Sequence, residues 1–115
     1  MTQPDLSLPE TDVYDAARRA ADGSALLLDV REPDEWARGR SEHATHLPLG
    51  ELNPDAVPRD RPILAVCRSG KRSGKATAQL AAAGHDVTNV AGGMLAWAAA
   101  GLPIIGDGPG PAEIS

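Results

Sequence analysis

Two short, continuous apolar runs constrain the fold of this 115-residue chain more than any other feature. Residues 25–30 read Ala-Leu-Leu-Leu-Asp-Val, and residues 63–66 read Ile-Leu-Ala-Val. Apolar runs without polar alternation are typical of strands that are buried on both faces, as in a parallel sheet. Parallel strands need crossover connections, and helical patterns follow both runs. The sequence therefore predicts an α/β domain with a small, mainly parallel sheet flanked by helices.

Local signals place the other elements around these two strands. Thr11 or Asp12 can cap a first helix, and Pro33 suits the first turn of a short second helix. The predicted helices cover residues 12–21, 33–38, 72–83 and 93–100, and the remaining predicted strands cover residues 6–8, 45–47 and 87–90. We assign residues 1–105 to one domain and predict a flexible tail over residues 106–115, which are rich in Gly and Pro.

Charge and composition argue against several classes of partner. The chain has 11 Lys and Arg residues against 16 Asp and Glu residues, so its net charge is −5. An acidic chain is a poor match for nucleic acid or an anionic membrane surface. No apolar run approaches the roughly 20 residues of a membrane span, and the N-terminus does not resemble a signal peptide. We therefore expect a cytoplasmic protein, and nothing in the sequence demands more than a monomer.

The single cysteine, Cys67, directly follows the second apolar run and precedes a cluster of cations. No Asp or Glu lies between Asp60 and Asp86, and four cations lie at 68, 71, 72 and 75. A cysteine between a strand end and a helix N-terminus meets free backbone N–H groups and positive charge, which favour the nucleophilic thiolate. The simpler alternative is a small buried apolar side chain, the usual role of a lone cysteine. The glycine-containing loop after Cys67 favours the catalytic interpretation.

Three sequence blocks resemble those of single-domain rhodaneses, the thiosulfate sulfurtransferase-like proteins. Residues 29–36 (Asp-Val-Arg-Glu-Pro-Asp-Glu-Trp) are similar to the first block of that family, and residues 67–73 (Cys-Arg-Ser-Gly-Lys-Arg-Ser) match its active-site loop. Residues 90–97 (Val-Ala-Gly-Gly-Met-Leu-Ala-Trp), followed by Gly-Leu-Pro at 101–103, match its ending. The blocks occur in the family's order and span nearly the whole chain.

The resemblance implies a reaction and a set of site residues. Cys67 would accept a sulfane sulfur from a small anionic donor such as thiosulfate and pass it, as a persulfide, to a thiol or to cyanide. The loop residues would bind the donor and the persulfide: Arg68, Ser69, Gly70, Lys71, Arg72 and Ser73. Asp29 and Arg31 would support the loop without taking part in the chemistry. The resemblance implies no metal and no organic cofactor.

One segment departs from the family pattern. The family commonly has Gly-His-Ile-Pro-Gly-Ala after the first block, whereas residues 39–44 here read Gly-Arg-Ser-Glu-His-Ala. This departure affects the expected turn geometry and any acceptor specificity that depends on it. It leaves the prediction for Cys67 unchanged.

Other interpretations fit the residues less well. A cysteine-dependent phosphatase needs Arg six positions after the cysteine, where this chain has Ser73, and a nucleotide-binding P-loop fails at two of its positions. A persulfide carrier or binding module that serves a partner protein stays open. His43 and His46, in a polar loop, are more typical of surface residues than of a metal site. Trp36 and Trp97 are predicted to anchor the core, because the chain has no Phe.

Overall fold

A computed structural model of the chain describes residues 8–115. Its five strands are β1 (Glu10–Thr11), β2 (Leu26–Asp29), β3 (Ala44–His46), β4 (Ile63–Val66) and β5 (Val87–Val90). Its helices are α1 (Val13–Ala21), α2 (Pro33–Arg38), α3 (Lys71–Ala82) and α4 (Gly93–Ala99), with 3-10 helices at Leu49–Glu51 and Pro54–Ala56. All strand pairs are parallel, and the strand order is β1-β5-β4-β2-β3. The predicted α/β architecture is confirmed.

The two central strands are buried because helices cover both faces of the sheet. Leu27 on β2 and Leu64 on β4 pack with α1 and α4, in a core that includes Met94 and Trp97. Their neighbours in sequence point to the opposite face and pack with Leu80 of α3. Side chains alternate between the faces of a strand, so a strand covered on both faces must be apolar at every position. This explains the continuous apolar runs in the sequence.

The helix boundaries follow the local signals in the sequence. The side chain of Asp12 accepts a hydrogen bond of 2.8 Å from the backbone N–H of Asp15, so Asp12 is the N-cap of α1. Pro33 begins α2, with Glu32 and Glu35 forming a reciprocal capping box. The strand predicted at residues 6–8 falls largely outside the described residues. Within them, β1 begins at Glu10 and occupies the edge of the sheet beside β5.

The topology brings the carboxyl ends of β2 and β4 together. After β2 the chain crosses to β3 on one side, and after β4 it crosses to β5 on the other side. The point where the connections diverge is the usual ligand-binding crevice of an open α/β sheet. Asp29 ends β2 and Cys67 follows β4, so two of the predicted site residues lie at this crevice.

The segment over residues 106–115 has no helix or strand, but it lies against α2. The backbone N–H of Asp107 donates to the carbonyl of Ala37 at 2.8 Å, and that of Glu113 donates to Arg38 at 3.0 Å. Ile114 packs against the core beside α1 and α4. The flexibility of residues 106–115 stays a prediction. In the structure the segment contacts α2 and the core through Asp107, Glu113 and Ile114.

Within residues 8–115, the helices are too short or too polar to cross a bilayer.

Candidate active site

Cys67 lies in the loop that joins β4 to α3. The residue is buried, whereas Arg68, Ser69 and Lys71 beside it are exposed. The loop turns into α3 at Gly70, whose φ of +107° lies in the region that glycine adopts without steric strain. The sulfur therefore sits just under the surface of the loop, at the carboxyl end of the sheet.

Two donors point at the Cys67 sulfur, one from the loop and one from the first turn of α3. The backbone N–H of Gly70 lies 3.0 Å from Sγ, and the Ser73 hydroxyl lies 3.3 Å from it. Burial raises the pKa of Cys67, but the hydroxyl of Ser73 and the backbone N–H groups of Ser73, Gly70 and Ser69 outweigh it. The pKa of Cys67 is accordingly lowered from its ordinary value, because these donors stabilise the thiolate. The family resemblance implies a role for Ser73 only as part of the binding loop, and the sequence carries no signal for the direct contact of its hydroxyl with the sulfur.

The β5–α4 connection holds the outer side of the same loop. The backbone N–H of Met94 donates to the carbonyl of Cys67 at 2.8 Å, and that of Leu95 donates to Arg68 at 3.0 Å. Gly93 allows this approach: a Cβ atom there would lie 2.4 Å from the Cys67 carbonyl oxygen. These hydrogen bonds hold the carbonyls of Cys67 and Arg68 toward α4. The N–H groups of the same peptides point the opposite way, because the N–H and C=O of a trans peptide are antiparallel. The structure thus brings the second and third sequence blocks together.

The cations of the loop divide into two kinds. Arg72 donates two hydrogen bonds to the carboxylate of Glu35, at 2.6 and 2.9 Å, and so binds α2 to the loop. This pairing lowers the pKa of Glu35 to about 2 and raises the pKa of Arg72. Lys71 is exposed, and Arg68 donates through Nε to the backbone oxygen of Ser115. The family resemblance implies that Arg72 binds the donor with the other cations, whereas in the structure its charge lies against Glu35.

Asp29 and Arg31 form a fully buried ion pair beside the loop. The Arg31 guanidinium donates to both carboxylate oxygens of Asp29 and, through Nη2, to the carbonyl of Gly39 at 2.7 Å. A longer contact of 3.4 Å reaches the carbonyl of Glu35. Among the hydrogen bonds of residues 8–115, none joins this pair to the loop directly. The pair orients α2, and α2 in turn presents Glu35 to Arg72.

Arg40 of the divergent segment and His46 of β3 both pack on the ring of Trp36 in α2. The Arg40 guanidinium lies 4.8 Å from the ring centre of Trp36, and the His46 ring stacks on Trp36 at 4.6 Å. His46 Nε2 also lies 2.8 Å from the backbone oxygen of Arg31, and Arg40 pairs with Asp107 at 2.7 Å. Trp97 is buried as predicted, but the prediction for Trp36 was wrong. Trp36 is half-buried, because its ring is covered by His46 and Arg40 on the surface of α2.

Comparisons with known proteins agree with the architecture and with the three sequence blocks. The family model described as "Rhodanese-like domain" matches residues 12–100. A protein of Allochromatium vinosum named "Sulfurtransferase" is 40% identical over 100 residues, which cover 84% of this chain and 94% of that protein. The protein of Actinobacillus succinogenes named "Thiosulfate sulfurtransferase GlpE" is 38% identical over 85 residues, covering 70% of this chain and 76% of that protein.

The crystal structure of a rhodanese-related protein from Thermoplasma volcanium has the same architecture. It superimposes with a TM-score of 0.78 at 27% sequence identity, covering 84% of this chain and 97% of that chain. The family match extends from the cap of α1 to the end of α4 and includes the sheet and the Cys67 loop. On this evidence, the chain belongs to the family of rhodanese-like domains.

Proposed function

We propose that this chain is a rhodanese-type sulfurtransferase that works through a persulfide on Cys67. The observation that carries the proposal is the pair of donors on the sulfur, the Gly70 N–H at 3.0 Å and the Ser73 hydroxyl at 3.3 Å. Such donors favour an anionic sulfur over a neutral thiol. Relatives named sulfurtransferases, at 40% and 38% identity, support the same reaction class.

The first half-reaction transfers one sulfur atom from the donor. The Cys67 thiolate attacks the sulfane sulfur of thiosulfate, a new S–S bond forms, and the S–S bond of thiosulfate breaks. Sulfite leaves with the bonding pair, so the negative charge now resides on the outer sulfur of the persulfide. We expect the loop N–H groups that stabilise the thiolate to stabilise this second anionic sulfur as well.

The second half-reaction returns Cys67 to its starting state. A nucleophilic acceptor attacks the outer sulfur, and the S–S bond of the persulfide breaks with the electron pair returning to Cys67. Cyanide would leave as thiocyanate, and a thiolate would leave as a new persulfide. Charge and electron pairs balance in both steps, so neither step requires an oxidant or a reductant, and the proposal includes no metal and no organic cofactor.

The exposed cations Arg68 and Lys71 are proposed to attract the anionic donor, whereas Arg72 contributes by fixing the loop through Glu35. Because Cys67 is buried beneath exposed loop residues, we expect the donor to displace side chains as it enters. We further propose a monomeric cytoplasmic enzyme without nucleic-acid or membrane partners, over a domain of residues 1–105. Thiosulfate as the donor and a thiol as the acceptor belong to the proposal.

Intact-mass measurement after treatment with thiosulfate tests the chemistry. We expect the chain to gain the mass of one sulfur atom and to lose it again on addition of cyanide, with thiocyanate released. Cys67→Ser is the matched control, since it changes one atom and should keep the fold. A sulfur adduct of equal yield on the Cys67→Ser variant would refute the role of Cys67.

Two further assays separate this reaction from its alternatives. A free-standing enzyme turns over small donors and acceptors rapidly, whereas a carrier is discharged efficiently only by a protein acceptor. A phosphatase would hydrolyse p-nitrophenyl phosphate, and we expect no hydrolysis. Ser73 occupies the position where a phosphatase has its arginine, and its hydroxyl contacts the sulfur.

A further inference from the structure

Asn89 of β5 lies beneath the Cys67 loop and belongs to none of the three sequence blocks. Its side chain is buried, with 7% of the residue exposed. The amide Nδ2 donates to the carbonyl oxygen of Gly70 at 3.2 Å. A Cβ atom on Gly70 or Gly74 would lie 3.9 or 3.8 Å from Nδ2, so the amide lies under the first turn of α3.

Only one of the two polar groups of the buried Asn89 amide, the Nδ2 group, makes a hydrogen bond within residues 8–115. Its Oδ1 has no hydrogen-bond partner within residues 8–115. A buried acceptor without a partner destabilises a protein, and an apolar side chain of similar shape would avoid that cost. Val87, the preceding β5 residue on the same face of the sheet, is apolar and buried. Burial at this position therefore favours an apolar side chain over an amide. The feature that accounts for an amide is the hydrogen bond from Nδ2 to the Gly70 carbonyl.

Gly70 is the residue of the loop that most needs an external contact. It adopts φ +107° and ψ −9°, and glycine has many other conformations of similar energy. Its N–H lies 3.0 Å from Cys67 Sγ, so a rotation of its backbone would move a donor away from the sulfur. Two contacts restrain that rotation: the helical hydrogen bond from Gly74 to the Gly70 carbonyl, and the side-chain hydrogen bond from Asn89.

We propose that Asn89 is a positioning residue for the chemistry at Cys67, because its amide fixes the Gly70 backbone with the N–H directed at Sγ. Asn89 touches neither the sulfur nor a substrate in this role and acts only through Gly70. The effect on sulfur transfer rests on the proposed function. The effect on the reactivity of the thiol rests on the loop geometry alone.

The test compares Asn89→Leu with the wild type and with Thr88→Val. Leu has the same branching and the same number of side-chain heavy atoms as Asn, but it has neither the donor nor the unpaired acceptor. Thr88 is the neighbouring strand residue, its side chain points to the opposite sheet face, and its replacement is also polar to apolar. Alkylation of Cys67 by iodoacetamide is measured against pH, and stability is measured by urea denaturation.

We expect the alkylation midpoint of Asn89→Leu to rise by about half a unit to one unit, which slows alkylation about three- to tenfold below the midpoint. Its urea midpoint should equal or exceed that of the wild type, since the unpaired Oδ1 is gone. Thr88→Val should keep the wild-type alkylation midpoint. A purely structural role would give the opposite pattern for Asn89→Leu, namely lower stability with an unchanged alkylation midpoint, and that result would overturn the proposal.

Asn89→Val, which suits a strand, replaces Asn89→Leu if the larger side chain does not fold. An alkylation midpoint equal to that of Thr88→Val in the variant that folds would likewise overturn the proposal. Thiosulfate:cyanide transfer is measured on the same samples, and we expect a rate loss of about three- to tenfold at pH values below the alkylation midpoint. If the wild type transfers no sulfur, the proposed function fails, while the alkylation profiles still decide the role of Asn89.

Discussion

Glu35 of α2 and Arg72 of α3 form a bidentate ion pair, with N–O distances of 2.6 and 2.9 Å. The pair joins the first sequence block to the Cys67 segment across 37 positions of the chain. Planar pairing of this kind fixes orientation as well as distance. Arg72 therefore holds the Cys67 loop against α2, and under the proposed function the exposed cations Arg68 and Lys71 attract the anionic donor.

The Glu35–Arg72 pair makes stability depend on pH in the acidic range. The pKa of Glu35 falls from 4.5 to about 2 in the folded chain. Because the folded pKa is the lower one, the pair stabilises the fold above pH 4.5, and this contribution is lost as the pH falls toward 2. We expect Glu35→Gln to cost about 1 kcal/mol at pH 7, a modest value because Arg72 is 33% exposed and solvent screens the pair. Urea denaturation at pH 7 and pH 3 measures the cost of the substitution and its dependence on pH.

The Glu35→Gln variant should lose less stability between pH 7 and pH 3 than the wild type. Glu51→Gln, at an exposed carboxylate with no ion pair in residues 8–115, is the control. Equal acid sensitivity of wild type and Glu35→Gln would contradict the assignment.

Ser73→Ala tests the hydroxyl on the sulfur. Removing a donor that lies 3.3 Å from Sγ should raise the pKa of Cys67 and lower the rate of sulfur transfer about tenfold or more. The pH dependence of iodoacetamide alkylation reports the pKa, and thiocyanate release reports the rate. Ser69→Ala, at an exposed position of the same loop, should leave both close to the wild type. An alkylation midpoint that is the same in Ser73→Ala and Ser69→Ala would show that the hydroxyl does not stabilise the thiolate.

The buried Asp29–Arg31 pair should show strong non-additivity. Asp29→Ala leaves the Arg31 charge buried without its partner, which we expect to cost about 3–5 kcal/mol. The double variant Asp29→Ala, Arg31→Met removes the uncompensated charge as well, so it should be more stable than Asp29→Ala alone. Free energies of unfolding from urea denaturation give the comparison. A double variant whose loss equals the sum of both single losses would argue against a coupled buried pair.

Gly93→Ala and Gly101→Ala test whether the β5–α4 connection holds the Cys67 loop through a close contact at Gly93. Both substitutions introduce backbone strain, but only Gly93→Ala also introduces a steric clash. Both glycines have positive φ, of 59° and 73°. An added Cβ would meet nothing within 4 Å at Gly101 but would lie 2.4 Å from the Cys67 carbonyl oxygen at Gly93. We expect about 1–2 kcal/mol of destabilisation from backbone strain at Gly101, and a larger loss at Gly93 together with loss of sulfur transfer. Thermal or urea unfolding, with thiocyanate release, distinguishes the two variants. Equal effects of the two substitutions would mean that the β5–α4 connection does not hold the loop.

Amide hydrogen exchange tests the docking of residues 106–115. The amides of Asp107 and Glu113 donate to carbonyls of α2, so they should exchange more slowly than those of Gly108 and Gly110. The comparison is made within one segment, so overall stability does not affect it. Uniformly fast exchange across all four amides would support the flexible tail that the sequence predicts.

The order and type of the main elements could be read from the sequence, because their signals are local. The runs at 25–30 and 63–66 predicted β2 and β4, and the cap and breaker residues placed α1 and α2 within a residue of their observed bounds. The position of Cys67 was predicted for the same reason. It follows β4 directly in the chain, so a correct strand places the cysteine at the carboxyl end of the sheet.

The partners of the loop were decided only by the tertiary structure. The strand order β1-β5-β4-β2-β3 brings α2, β5 and the start of α4 around residues 67–73, although they lie tens of positions apart in the chain. Arg72 meets Glu35, the Cys67 carbonyl meets the N–H of Met94, and Gly70 meets Asn89 through this order. Local patterns carry no information on which distant groups a crossover brings together. The sequence by itself therefore determined the main elements and the position of Cys67 at the end of β4, and long-range packing decided which charges are compensated and which donors face the sulfur.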